Sequence, residues 1–404
     1  MTIDEQVRII VKGAAELINE DDLRAKLAMS ARTGRPLTVK LGLDPSAPDI
    51  HLGHTVVLRK IKQLQDLGHR AVLIIGDFTG RIGDPTGKSK TRRQLTEDEV
   101  RANARTYEEQ LVRILDPDKT EFRFNSQWLG EMKFADVVNL AAKTTVARLL
   151  ERDDFRKRFE AQQPIGVHEL FYPLMQGYDS VALRADLEIG GTDQRFNVLF
   201  GRGLLQDYGH ERQVALFLPL LEGLDGVEKM SKSLGNYIGI DEQPNDMYGK
   251  VMSIPDGMIV RWFSLLTDIH PDELEKLSGA LDRQEMNPRD AKMRLAREIT
   301  ALYSGAEASH EAEEHFRKVF QRRELPESLP EFALPAALRT KDGYDMPALL
   351  VAAGLAASTS EARRLITQGA VRVNGKKVAS IKLDGLAQGD VLQAGKLKMV
   401  KVLV

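Results

Sequence analysis

Residues 37–75 read LTVKLGLDPSAPDIHLGHTVVLRKIKQLQDLGHRAVLII, and this stretch decides the fold. Leu37 to Leu43 is a short apolar run with the look of a strand. After the loop Asp44 to Asp49, apolar residues at Val57, Ile61, Leu64 and Leu67 recur at helical spacing, and Gly68 stops the helix. Ala71 to Ile75 is then continuously apolar, as a strand covered on both faces must be. Strand, helix and strand in that order form a right-handed βαβ unit, so the fold class is α/β with a parallel sheet.

Outward from this unit, the spacing predicts helices over Thr96 to Leu115 and Phe134 to Leu150, and a buried strand from Val214 to Leu221 running into the glycine-rich stretch Gly223 to Gly226. Beyond Gln243 the pattern changes. Met258 to Leu266, Asp272 to Leu281, Arg289 to Tyr303 and Ala306 to Arg322 are helical segments with no strand between them, which predicts a separate α-helical domain. Pro326, Pro330 and Pro335 then predict a semi-rigid linker that no helix or central strand crosses.

Composition narrows the function classes. The chain has 404 residues, enough for two or three domains, with 42% hydrophobic and 29% charged residues, ordinary values for a folded protein. It contains no cysteine, which excludes disulfides, thiolate zinc sites and iron–sulfur clusters. The acidic start MTIDEQVRII and the lack of any apolar run of membrane-spanning length predict a cytoplasmic protein without membrane partners. The net charge of -2 conceals an asymmetry: residues 340–404 carry ten Lys/Arg against five Asp/Glu, or +5, leaving -7 for the rest. A basic tail on an acidic body points to a tethered anion-binding module, with nucleic acid as its leading partner.

Two motifs carry chemistry. His51-Leu-Gly53-His54 falls where the first loop enters its helix, and imidazoles with a close-approach glycine at a helix N-terminus make a corner for phosphate. By itself an H-x-G-H is an ordinary capping pair. Lys229-Met-Ser-Lys232-Ser233 follows the Gly223 to Gly226 turn, placing two ammonium groups on a loop that can close over pyrophosphate. A lone lysine-rich loop is solvated surface, but the two motifs together are not bland. Gly83 to Ser89 is no P-loop, because three residues separate its glycines where four are needed. His310 and His315 are five apart and point to different helix faces, so no protein-ligated metal is expected.

Together HLGH and KMSKS resemble the signature pair of class I aminoacyl-tRNA synthetases. LGLDPSAPDIHLGH, GDFTGRIGDPTGKSKTR, YPLMQGYDS and GGTDQRFN, in that order, more narrowly resemble bacterial tyrosyl-tRNA synthetases. The resemblance implies a Rossmann-like catalytic domain over 1–240 with an inserted dimer-interface segment at about 120–160. It further implies an anticodon-stem helical domain over 241–323, a linker over 324–340 and a ribosomal-protein-type RNA-binding domain over 341–404, in a homodimer.

For the site, the resemblance implies that Asp179 accepts the tyrosine phenol proton and that Tyr172, Gln176 and Asp84 hold the α-ammonium. Gln194 would lie near the carboxyl, with Gly42 also at the tyrosine. Asp193 and Gly191 would meet the adenosine ribose, with Asp44 and Gly53 also at ATP. His51, His54, Lys229, Lys232 and Ser233 match groups on the ATP phosphates, and Lys88 and Arg92 match a loop that meets pyrophosphate. The implied substrates are tyrosine, tRNA and ATP, the last carrying its Mg2+. One departure stands out: many family members place a tyrosine against the substrate phenol where this chain has Lys40.

The residues agree with parts of this independently. Tyr172, Gln176 and Asp179, four and three apart, share one helix face among apolar neighbours, as a pocket wall would. Attack of a carboxylate on the α-phosphorus needs positioning and cations, not a nucleophilic side chain. In the tail, Leu355 to Ile366 and Gln368 to Gly375 resemble the RNA-binding module; Arg363 and Arg364 open a basic helix face, Asn374-Gly375 marks a hairpin turn, and Arg372, Lys376 and Lys377 join the basic surface. The rival readings are the sister tryptophan enzyme and a non-catalytic RNA-binding paralogue.

Overall fold

The strand, helix and strand expected between Leu37 and Ile75 are Thr38–Leu43, Leu52–Asp66 and Arg70–Ile75 in the structure, a computed structural model. It describes residues 1–44, 50–84, 99, 106, 108–321, 329–335, 338–340, 343–395 and 398–403. Within them the chain divides into two units, Met1–Phe316 and Arg317–Val404.

The first unit is built on a six-stranded sheet of β1 (Glu16–Ile18), β2 (Thr38–Leu43), β3 (Arg70–Ile75), β4 (Thr120–Phe124), β5 (Leu187–Gly191) and β6 (Val214–Leu218). Their order is β1-β6-β5-β2-β3-β4, with β2 to β6 mutually parallel and β1 antiparallel on the edge. Every residue of β6 is buried, as is β3 from Ala71 to Ile75. Truncating a buried leucine such as Leu73 in a packed core costs about 2–5 kcal/mol. Successive strands proceed outward from β2 on one side and from β5 on the other, so the order reverses between β2 and β5. Ligands of open parallel sheets bind outside the C-terminal strand ends at such a reversal.

Some expectations are corrected. Phe134 to Leu150 is two helices, Phe134–Ala141 and Val146–Leu149, because Thr145 turns extended and its hydroxyl accepts from the Arg148 N–H as a new N-cap. Half of Thr96 to Leu115 falls outside the described residues, though 108–111 are helical. Helices Ile259–Leu266, Pro271–Asp282, Pro288–Ser304 and Ala306–Phe316 occur as expected, after Pro244–Met252. Their buried Tyr248, Trp262, Phe263 and Leu295 belong to the same core as Leu41, Leu73 and Leu216, so packing draws no line at residue 240.

The second unit has its own core around Met346, Leu349, Leu350, Ile366, Val371 and Leu392. Helix Thr359–Thr367, capped by the Ser358 hydroxyl, exposes Arg363 and Arg364. Asn374 and Gly375, both at positive φ, turn Val371–Val373 back onto Lys376–Lys377. The linker expectation fails in part: Glu331–Ala333 is a strand pairing in parallel with Lys398–Leu403. It lies at a sheet edge with Pro330 just before it, and an edge position is where proline is tolerated.

Candidate active site

The residues just past the C-terminal ends of the parallel strands converge. After β2 comes Asp44, after β3 Gly76, after β4 Asn125, and after β5 the turn Thr192–Gln194. Gly42 is exposed near the end of β2. Asp44 accepts hydrogen bonds from the Tyr172 hydroxyl at 2.8 Å and the Thr79 hydroxyl at 2.9 Å. Those contacts require glycine at position 76, since a Cβ there would collide with the Asp44 carboxylate and the Thr79 hydroxyl.

Tyr172, Gln176 and Asp179 do lie on one helix, Tyr172–Leu183, which packs on Arg195–Asp207 through Gly177 and Gly201. Burial, with Asp44 and Asp84 nearby, raises the Tyr172 phenol well above its ordinary range, so it donates as a neutral hydroxyl. Asp84 accepts from Arg152 at 2.6 Å and Gln194 at 3.0 Å, and the Arg152 guanidinium lies 5.9 Å from the centre of the Tyr172 ring. Gln194 Oε1 accepts from Asn197 at 3.0 Å and from Gln176 at 3.5 Å. Gln176 Oε1 is buried and has no partner among the described residues. The result is a polar wall of two carboxylates, a phenol and two amides.

Asp179 stands at the buried end of that helix face, 3% exposed. The Trp128 indole N–H donates to it at 2.8 Å and the Asn125 amide at 3.4 Å. Burial dominates its ionisation and lifts it to about 7, opposed by Lys40 and then by the two donors. A carboxylate so placed, with acceptor capacity left over, can take a hydrogen bond from a hydroxyl.

The two signature motifs meet. His51 caps helix Leu52–Asp66, and its Nδ1 accepts from the Gly53 N–H at 3.1 Å, while His54 Nδ1 accepts from the His51 N–H at 3.3 Å. With both Nδ1 atoms acting as acceptors, each ring carries its proton on Nε2 when neutral. The rings stack at 3.9 Å. Burial, then His54 and Lys232, pushes His51 down to about 3; burial, then Lys232, pushes His54 to about 4. Both are therefore neutral donors at pH 7.

Across from them, Leu52 N–H donates to the Ile238 carbonyl at 2.9 Å, and a Cβ on Gly53 would sit 3.4 Å from that of Met230, the buried residue of KMSKS. Lys232 Nζ lies 5.8 Å from the Tyr237 ring centre, and Tyr237 is 6.2 Å from His51. Ser231 and Ser233 hydroxyls are 2.8 Å apart. Asn236 shapes this loop, accepting from the Ser231 N–H at 2.8 Å and donating to Asp225 at 2.6 Å. On the sheet side Asp193 is raised chiefly by burial and feels Lys229, linking KMSKS to the turn after β5. Lys88 and Arg92 lie outside the described residues. No cluster of three or more metal-ligating side chains occurs among the described residues.

Sequence reading missed Thr79, Gly76, Asn125, Trp128, Arg152, Asn236 and Tyr237. Asn125 and Trp128 directly follow β4, and that position at a strand end was the available signal.

This α/β site is matched by a family model described as tRNA synthetases class I (W and Y) over residues 32–321, with an S4 domain over 347–382. The chain belongs to the class I tRNA synthetases, and within them to the tyrosine–tRNA ligase family. It is 58% identical over 401 residues to a tyrosine–tRNA ligase of Moorella thermoacetica, covering 99% of this chain and 96% of that one. It is 56% identical to tyrosine–tRNA ligase 2 of Clostridium acetobutylicum, covering 100% and 99%. The solved structure of the Archaeoglobus fulgidus tyrosyl-tRNA synthetase with L-tyrosine shares the fold at TM-score 0.61 and 24% identity, over 77% of this chain and 100% of that one. A truncated Aspergillus nidulans mitochondrial enzyme does so at 0.64 and 22%, over 78% and 94%.

Proposed function

We infer that this chain is a tyrosine–tRNA ligase. It joins tyrosine to ATP as tyrosyl-adenylate, releasing pyrophosphate, and then esterifies the 3′-terminal adenosine of its tRNA. What supports this reading is that buried Asp179 ends a polar wall past the C-terminal strand ends, while HLGH packs against KMSKS through Gly53 and Met230 and Lys229 acts on Asp193 in the turn after β5.

In the activation step a tyrosine carboxylate oxygen bonds to the α-phosphorus as the bond to the pyrophosphate oxygen breaks. Asp84, Tyr172 and Gln176 hold the α-ammonium, Gln194 the carboxyl, and Asp179 the phenol; Gly42 leaves room at the end of β2. Asp193 and Gly191 take the ribose, and Asp44 orients Tyr172 beside the nucleotide. His51 and His54 donate Nε2–H to phosphate, at a helix start left open by Gly53, while Lys229, Lys232 and Ser233 stabilise the leaving pyrophosphate. Mg2+ enters with ATP as part of the substrate. Lys88 and Arg92 complete the pyrophosphate grip.

The S4 unit binds tRNA through Arg363, Arg364, Arg372, Lys376 and Lys377, while helices 241–316 approach the anticodon stem. The active species is a homodimer. Exposed Phe134, Val138, Val146 and Phe159 support an interface in the segment at about 120–160, since such side chains cost free energy in water. The protein works in the cytoplasm; no helix among the described residues is long and apolar enough to cross a membrane.

Pyrophosphate exchange with tyrosine, tryptophan and phenylalanine tests the reading. Exchange with tyrosine supports it; exchange with tryptophan alone would assign the sister activity, and none at all the non-catalytic one.

A further inference from the structure

Lys40 sits at the centre of the sheet, wholly buried, where the reversal between β2 and β5 lies. It is in register with Glu188 of β5, and the two side chains form an ion pair with Nζ 2.8 Å from Oε1. Both charges face the underside of helix Tyr172–Leu183. Lys40 Nζ also donates to the Ser180 hydroxyl at 2.6 Å and lies 3.4 Å from the Gln176 carbonyl. Ser180 in turn donates to Glu188 Oε2 at 2.9 Å, and the Gln213 amide donates to the same carboxylate.

An ammonium group has three donors, and Glu188, Ser180 and Gln176 take all of them. Lys40 therefore has no hydrogen left for a substrate. The lysine does not replace a phenol contact in kind; it grips the helix turn 176–180, which bears the pocket residues Gln176 and Asp179. The charged groups around Asp179 are Lys40 on β2 and Glu188 on β5, with Trp128 and Asn125 donating from the segment after β4. Of these, Lys40 acts most strongly to favour the ionised form, and Glu188 works against it.

We propose that Lys40 is a positioning residue for phenol recognition: clamped by Glu188, it braces the 176–180 turn from beneath and holds Asp179 as the anionic acceptor of the substrate hydroxyl. This rests on the reading that Asp179 receives the tyrosine phenol. A buried ion pair is a poor source of net stability, and its presence under a specificity residue is explained by the field it supplies there.

The test is tyrosine-dependent pyrophosphate exchange between pH 6 and 8.5, with kcat and KM separated, on the full-length enzyme, Lys40→Met and Asp179→Asn. In Lys40→Met the pH below which tyrosine KM climbs should move up by about one unit. At pH 7 that is roughly a fivefold higher KM, rising toward tenfold at pH 6, with kcat changed far less and the gap closing toward pH 8.5. The preference for tyrosine over phenylalanine should weaken over the same range. Should Lys40→Met fail to fold, Lys40→Met/Glu188→Gln removes both charges and should shift the profile the same way by less. A KM increase equal at every pH, or no increase, would overturn the proposal, since loss of packing alone moves no pH profile. Asp179→Asn separates the two readings: a flat tyrosine profile keeps the phenol assignment whatever Lys40 does. An unaltered profile and unaltered discrimination would remove that assignment and this proposal with it.

Discussion

On the proposed reading, the phosphate corner and the phenol end of the site solve opposite electrostatic problems with opposite materials. At the corner the charge belongs to the ligand, so the protein presents donors and cations: neutral His51 and His54 on a helix start, with Lys229 exposed and Lys232 half-buried on a loop. At the phenol end the ligand is neutral and the charge belongs to the protein. Asp179 is buried, and its ionised form depends on the Trp128 and Asn125 donors and on Lys40 beneath it. The corner can be assembled from loops because phosphate finds cations over a distance. The phenol end has to be rigid, because a neutral hydroxyl is told from a missing one only by a donor and acceptor fixed at hydrogen-bond distance.

Loss of cationic charge at the corner should give the largest effect. Lys232→Ala should lower kcat for adenylate formation by about 10²–10³-fold while tyrosine binding changes little, the pattern expected for a group acting on charge developed in the transition state. Equal losses in kcat and binding, measured by pre-steady-state adenylate formation, would dissolve the distinction between the two ends.

Asp179→Asn should act on the other end, reducing tyrosine-over-phenylalanine discrimination by about 10²-fold or more; the tyrosine-against-phenylalanine preference of this family is a standing illustration of that physics. Unchanged discrimination in competitive charging would move phenol recognition elsewhere.

The two ends should also part company in pH. His51 and His54 gain a proton only when pH falls to about 3 and 4, so they stay neutral from pH 5.5 to 8 and kcat should show no histidine inflection there. Asp179 titrates near 7, and as pH falls through that value it gains a proton and stops accepting, so tyrosine KM should rise toward acid. An inflection in kcat with a flat KM would invert the comparison. The smallest effect belongs to the S4 unit: Arg363→Ala/Arg364→Ala should raise tRNA KM several-fold and lower the slope of log affinity against log salt by about 2, as filter binding would read.

The contrast also explains what the sequence made legible. Strand, helix and strand from Leu37 to Ile75 were readable because burial on both faces leaves continuous apolar runs, and the tail hairpin because Asn374-Gly375 suits only a tight turn. HLGH and KMSKS were readable as local motifs. The supports of Asp179 were not, since Trp128 and Asn125 follow β4 while Lys40 lies on β2, and they meet only when the sheet forms. The edge strand Glu331–Ala333 was hidden by its flanking prolines, and the break at Thr145 by an apolar pattern that continues across it.

The most direct test of the account is amino-acid-dependent pyrophosphate exchange by the purified chain across all twenty amino acids. The account predicts exchange with tyrosine and rates lower by orders of magnitude with phenylalanine and tryptophan, because only tyrosine satisfies Asp179 while its carboxyl faces the phosphate corner. Exchange driven by phenylalanine as readily as by tyrosine would contradict it.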